Sequence, residues 1–169
     1  MAEGGKVNVL FTSVGRRVEL LRAFKRAYAD LGLSGNIVAV DIDPLAPALQ
    51  VADRCYIVPR ISDPEYIPTL KRICRREQVD LIFPLIDPDI PVLARHRQEL
   101  EAWGARVIVV SEEAAQMTAD KWLTYKFFRQ LRVPTPRSWL PEEVRAIDLE
   151  YPVFIKPRFG SASKLTFEV

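Results

Sequence analysis

Val7-Asn8-Val9-Leu10-Phe11-Thr12-Ser13-Val14-Gly15-Arg16-Arg17 passes from an apolar run into a short turn, and the helical spacing of Val18, Leu21, Phe24, Tyr28 and Leu31 begins directly behind it. An apolar strand, a turn of small and basic residues and an amphipathic helix are the opening of a βαβ unit. Gly32 supplies a left-handed stop for the helix. Further strand signals recur at Asn36–Asp41, Cys55–Val58, Asp80–Phe83 and Arg106–Val110, most of them near-continuous apolar runs of the kind that strands buried on both faces require. Between them, one helical pattern starts at Asp63-Pro64 and buries Ile67, Leu70 and Ile73. Another carries Ile90, Leu93, Ala94 and Leu100 and closes at Gly104. The order β-α-β-β-α-β-α-β predicts an α/β fold, a mostly parallel sheet with helices on both faces.

After Val110 the character changes. Ser111-Glu112-Glu113 reads as a helix start, and Asp120-Lys121 opens a further helix through Trp122, Phe127, Phe128 and Leu131. Pro134 and Pro136 end it and begin an extended stretch, Thr135–Leu140. A strand at Tyr151–Ile155 and another at Leu165–Val169 look antiparallel, so a second domain is expected to begin near residue 112.

Lys and Arg total 24 against 22 acidic residues in a chain of 169, and 49% of it is hydrophobic. That composition fills a core and gives no charge argument for nucleic acid or membrane partners. Only Cys55 and Cys74 occur, with no secretory leader and no apolar run long enough to span a bilayer, and the expectation is a cytoplasmic protein with reduced thiols.

Several constellations carry possible chemistry. The turn Thr12–Arg17 falls at the carboxyl edge of the sheet, where ligands of open α/β sheets bind, and Gly15, Arg16 and Arg17 there can clamp a carboxylate or phosphate; solvated arginines on a plain turn are the alternative. Asp41 and Asp43 follow the second strand as contacts to ligand hydroxyls or as turn formers. Asp87 and Asp89 follow the fourth, and Asp87 either meets a substrate amine or helps cap the next helix. His96, the one histidine, reads as a solvated surface residue, and Trp103, Trp122 and Trp139 as core or interface residues. At the far end a strand hands over to Lys156 and then to the small residues Gly160, Ser161, Ala162 and Ser163, an arrangement suited to phosphate oxygens. No zinc-ligand spacing and no Ser/His/Asp arrangement is present.

Asp120-Lys121, Val133-Pro134-Thr135-Pro136, Val153-Phe154-Ile155-Lys156-Pro157-Arg158 and Gly160–Ser163, in that order and spacing, resemble the ATP-grasp superfamily. The opening Leu10–Arg17 is similar to its carbamoyl-phosphate synthase large-subunit branch. The resemblance implies a Rossmann-like pre-ATP-grasp domain over residues 1–111, followed at 112–169 by the truncated first part of an α+β nucleotide-binding domain. It implies that Lys121 reaches toward ATP phosphates, that Lys156 contacts the α-phosphate and adenine edge, and that Gly160, Ser161, Ala162 and Ser163 form the loop that closes over the phosphates. That loop has one glycine where many relatives have several. The family's magnesium ligands are Glu and Asn residues of a later subdomain that nothing here matches, so Mg²⁺ is expected to be held outside this chain.

The chemistry so implied is ATP-dependent activation of a carboxylate or bicarbonate as an acyl phosphate, attacked by an amine-type nucleophile, with this segment inactive alone. Gly15, Arg16, Arg17, Asp41 and Asp87 are then assigned to the acid or amine substrate. The resemblance also allows a homodimer through the first domain. A non-catalytic ligand-binding or interaction module is the alternative, and a nicotinamide-dependent oxidoreductase a third reading, opposed by the two glycines missing from the first turn.

Overall fold

The computed structural model describes residues 5–144 and 149–169. The chain divides into two compact units, residues 1–110 and 111–169. In the first unit, β1 (Val9–Thr12), β2 (Ile37–Asp41), β3 (Arg54–Ile57), β4 (Leu81–Pro84) and β5 (Arg106–Val107) form one sheet in the order β3-β2-β1-β4-β5, with every pairing parallel. Alternate residues of β1 feed two cores. Leu10 joins Val38, Val40 and Ile82 on the face covered by α2 (Tyr66–Glu77), α3 (Asp89–Arg95) and α4 (Arg97–Glu101). Val9 and Phe11 join Ile37, Ala39 and Leu21 on the face covered by α1 (Val18–Asp30) and a 3₁₀ turn, Pro47–Val51. The helices therefore lie on both faces, and the two-sided burial of β1 and β2 explains why both read as unbroken apolar runs.

Local departures from the sequence reading have local causes. The Asp63 carboxylate accepts from the Glu65 N–H and its carbonyl accepts from the Tyr66 N–H, so Asp63-Pro64 is a turn and α2 begins only at Tyr66. The helix expected through residue 100 breaks at His96, whose φ of −97° and ψ of 14° separate α3 from α4. β5 pairs over two residues rather than five because β4 ends at Pro84, which has no N–H to extend the ladder. Trp103 is half-exposed, with the Arg75 guanidinium 3.3 Å above its ring, rather than a core residue. His96 lies on the surface against Glu99, and both cysteines are free thiols.

At the amino-terminal edge of the sheet, Asn8 ties three segments together. Its N–H donates to the Asp80 carboxylate at 2.6 Å, its Nδ2 to the Gln78 carbonyl at 3.0 Å, and its Oδ1 accepts from the Asn36 N–H at 2.9 Å. Beside it, Gly35 has φ of +129°, and a Cβ there would sit 2.0 Å from the Val7 carbonyl oxygen. Gly35→Ala is expected to lower stability by about 2 kcal/mol through this clash and the unfavourable φ, read as a drop in the urea midpoint.

The second unit contains α5 (Glu112–Ala119), capped by the Ser111 hydroxyl, α6 (Lys121–Gln130), and an antiparallel pair of short strands, β6 (Phe154–Ile155) and β7 (Phe167–Glu168). α6 stops at Gln130 because Arg132 turns left-handed at φ +57°, before either proline, and residues 135–140 pair with no strand. Among the described residues of this unit only Ala115 and Asp120 are buried. No helix among the described residues is long and apolar enough to cross a membrane.

Candidate functional site

Two places hold the residues singled out by the sequence, one in each unit. In the first unit β1 has β2 on one side and β4 on the other, so the chain connections diverge at the carboxyl ends of β1 and β4, the place where open α/β sheets leave a ligand crevice. The turn after β1 is pinned there. Val14 N–H donates to the Val40 carbonyl at 3.3 Å, Gly15 N–H to Asp41 Oδ2 at 2.7 Å, and the Gly15 carbonyl accepts from Ala48 N–H at 3.1 Å. Ser13 and Gly15 both take positive φ, which folds the turn tightly against β2. Asp41, almost fully buried, uses its other oxygen to accept from the Asp43 N–H, so its carboxylate braces two turns.

Asp89 is fully buried beneath this turn. Its Oδ2 accepts from the Thr12 hydroxyl at 2.6 Å and its Oδ1 from the Tyr66 hydroxyl at 3.2 Å. Burial pushes its carboxyl above the usual carboxylate range, against the hydrogen bonds from Thr12, Ser13 and Tyr66 that pull the other way. Tyr66 is in turn pushed up by burial and by the neighbouring Asp89. Asp87, two residues earlier, is exposed and its side chain caps nothing, since α3 has Pro88 as its N-cap and no side-chain cap bond. Arg16 and Arg17 are exposed, and Arg17 reaches only the Ser13 carbonyl, at 3.5 Å.

Gly15, Arg17 and Asp41 share an open cleft of about 610 Å³, whereas Arg16 and Asp87 are not among its lining residues. Arg60 and Ser62 complete its polar rim, and the sequence reading missed both. The signal was available: Pro59-Arg60 follows the β3 strand run at the same carboxyl edge as the other turns.

In the second unit Asp120 caps α6 by accepting from the Trp122 and Leu123 N–H groups at 2.9 and 3.2 Å. The same carboxylate takes a two-pronged bond from Arg158, Nε to Oδ1 at 2.8 Å and Nη2 to Oδ2 at 2.5 Å. The Arg158 hydrogen bonds, helped by those helix N–H groups, draw the Asp120 carboxyl down to about 2 against the effect of burial. Lys121 follows. Its N–H donates to the Arg158 carbonyl at 3.2 Å and its Nζ to the Gly160 carbonyl at 2.8 Å. The start of α6 is thereby clasped to the loop behind β6.

Lys156 is exposed, and its ammonium meets no acceptor among the described residues. Gly160, Ala162 and Ser163 all have positive φ, at +121°, +58° and +53°. None of the N–H groups of residues 160–163 donates to a protein acceptor among the described residues. Unspent N–H groups in a turn of this kind are donors that suit an anion. No three His, Cys, Asp or Glu side chains among the described residues come together to hold a metal ion.

The parallel sheet in the order 3-2-1-4-5 agrees in fold with solved relatives, and with the family and sequence matches it gives the class: the pre-ATP-grasp, amino-terminal part of the ATP-grasp superfamily. Within that class the chain belongs to the PylC-like N-terminal domain family, which residues 9–108 match. The carbamoyl-phosphate synthase of Methanobrevibacter smithii is 32% identical over 122 residues, covering 69% of this chain and 32% of that protein. The formate-dependent phosphoribosylglycinamide formyltransferase of Shewanella frigidimarina is 28% identical over 135 residues, covering 76% of this chain and 32% of its own length. N5-carboxyaminoimidazole synthetase from Staphylococcus aureus, crystallised with ADP, shares the fold with a TM-score of 0.66 at 17% identity, covering 96% of this chain and 41% of that one. The chain spans about a third of the length of these curated relatives.

Proposed function

We propose that this chain is the amino-terminal portion of an ATP-dependent ligase that activates a carboxylate or bicarbonate as an acyl phosphate for attack by an amine-type nucleophile. Residues 1–111 are then the pre-ATP-grasp domain, with Gly15, Arg16, Arg17, Asp41 and Asp87 assigned to the acid or amine substrate. Residues 112–169 open the nucleotide-binding domain, where Lys121, Lys156 and the loop Gly160, Ser161, Ala162 and Ser163 hold ATP. The observation that carries the reading is that loop: backbone donors without protein partners, left-handed φ at three of its four residues, and Lys156 unpaired close by in sequence. Carboxylate-activating chemistry is also what the names of the two curated relatives suggest.

These residues fit polyphosphate in charge and donor number. Phosphoryl transfer asks mainly for alignment and charge neutralisation, which ammonium groups and backbone N–H groups supply. Mg²⁺ would supply further charge neutralisation on the phosphates, held by ligands outside these residues. Lys121, whose Nζ donates to the Gly160 carbonyl, would have to give up that bond to hold a phosphate oxygen.

Calorimetry with Mg-ATP on this chain and on a longer chain containing it, with NADH as control, tests the proposal. Lys156→Ala in the longer chain should weaken ATP binding by about 1 to 3 kcal/mol, the value of a charged hydrogen bond. Unchanged affinity would remove Lys156 from the site. No ATP binding by either chain would favour instead a non-catalytic module, a reading supported by the exposed Phe154, Ile155 and Phe167 on a ribbon that pairs with no further strand among the described residues. A homodimer through the first domain belongs to the same proposal, and light scattering that finds only monomer removes it.

A further inference from the structure

The cleft at the carboxyl edge of the first unit has a lining of mixed character. Beside Arg17 and Arg60 it presents Ile42, Ile61, Ile86 and Val92. The two arginines differ from those in that unit that are spent on glutamates, as Arg76 is on Glu77. Arg22, Arg54, Arg72 and Arg97 each meet a glutamate. Arg17 has only the 3.5 Å contact to a carbonyl, and the Arg60 guanidinium has no partner among the described residues. The one carboxylate in the cleft, Asp41, has each oxygen taken by a backbone N–H and is not paired with either guanidinium. The charge left over is positive and forked, which matches a carboxylate. An anion of one carbon would satisfy the arginines and leave the aliphatic side chains wet.

We infer that the cleft takes a carboxylate borne on an aliphatic body, with its charge between Arg17 and Arg60 and its carbon chain laid on Ile42, Ile61, Ile86 and Val92. The inference rests on the reading of the first unit as the acid-binding domain. It deepens that reading by setting the substrate class apart from bicarbonate and formate, and by adding Arg60 as a residue that binds and selects. Each methylene that leaves water is worth up to a factor of about four in affinity, and roughly half of that on an open surface. Five carbons added to formate should therefore tighten binding at least about tenfold.

The test titrates the whole 169-residue chain, labelled for amide NMR, with sodium formate, butyrate and hexanoate at matched ionic strength. Hexanoate is expected to shift the signals of residues 13–17, 60–62 and 86–92 at a concentration at least about tenfold below formate, with butyrate between. Arg60→Gln, a change at an exposed position that leaves the core intact, should weaken hexanoate at least about fivefold. Formate and hexanoate acting at equal concentration would overturn the aliphatic assignment. Hexanoate binding unaltered by Arg60→Gln, or no cleft shift up to about 50 mM, a range where even millimolar affinities saturate, would overturn the site. Mg-ATP added afterwards reports separately through residues 156–163, so failure of the nucleotide proposal is distinguishable from failure of this one.

Discussion

Asp89→Ala is expected to lower the stability of the first unit by on the order of 3 kcal/mol, because it strands two buried hydroxyls at once. Thr12 and Tyr66 both spend their donors on this carboxylate, and Thr12 is the last residue of the central strand. Asp89→Asn keeps an acceptor and should cost much less. The pair of variants also separates packing from titration. The folded carboxyl sits above the unfolded value of 3.8, so as pH rises through 3.8 the unfolded chain releases this proton first and the group withdraws stability until its own folded value is passed. Amide exchange across β1 measured between pH 3 and 7 should show that loss in the parent chain and not in Asp89→Asn. A parent profile identical to that of Asp89→Asn would show that Asp89 does not titrate in this window.

Asp120→Ala should be felt equally in the second unit, where on the order of 2 to 3 kcal/mol is at stake. The helix loses its N-cap, worth about 1 kcal/mol, and the Arg158 guanidinium loses both of its carboxylate bonds. The sign of the pH effect is opposite to that of Asp89. Here the folded carboxyl is held at about 2, below the unfolded 3.8, so its contribution is complete above 3.8 and disappears as pH falls toward 2. Exchange at the α6 amides in Asp120→Asn should lack this acid limb. If Asp120→Ala leaves both those amides and ATP affinity as they were, the clasp between α6 and the loop has no energetic weight.

Much of this architecture was legible in the chain itself. The apolar runs of β1 and β2 announce strands buried twice over, and the phase of Leu21, Leu70 and Ile73 gives each helix its buried stripe. Ser111 and Asp120 read correctly as caps because a cap is local chemistry. What escaped depends on contacts distant in sequence. Nothing near Asp89 says that its carboxylate meets Thr12, seventy-seven positions earlier, while the exposed Asp87 beside it looks the same on paper. The break at His96 and the early stop at Arg132 are set by backbone geometry rather than by a breaker residue. Arg60 stayed hidden because a lone arginine after an edge strand acquires meaning only when the sheet brings it to the same cleft as Arg17.

The two ends of β1 are held by different means, and this bears on how such a chain can diversify. At one end the three bonds of Asn8 fix β1 against its neighbours, since a shift of one residue would bury that amide without partners. At the other end, the exposed Arg16, Arg17 and Arg60 carry no part of the sheet's hydrogen bonding. Substitutions there can be explored almost freely, while the residues that specify the fold stay untouched. A lineage built on this framework could change its ligand many times over without passing through an unfolded ancestor.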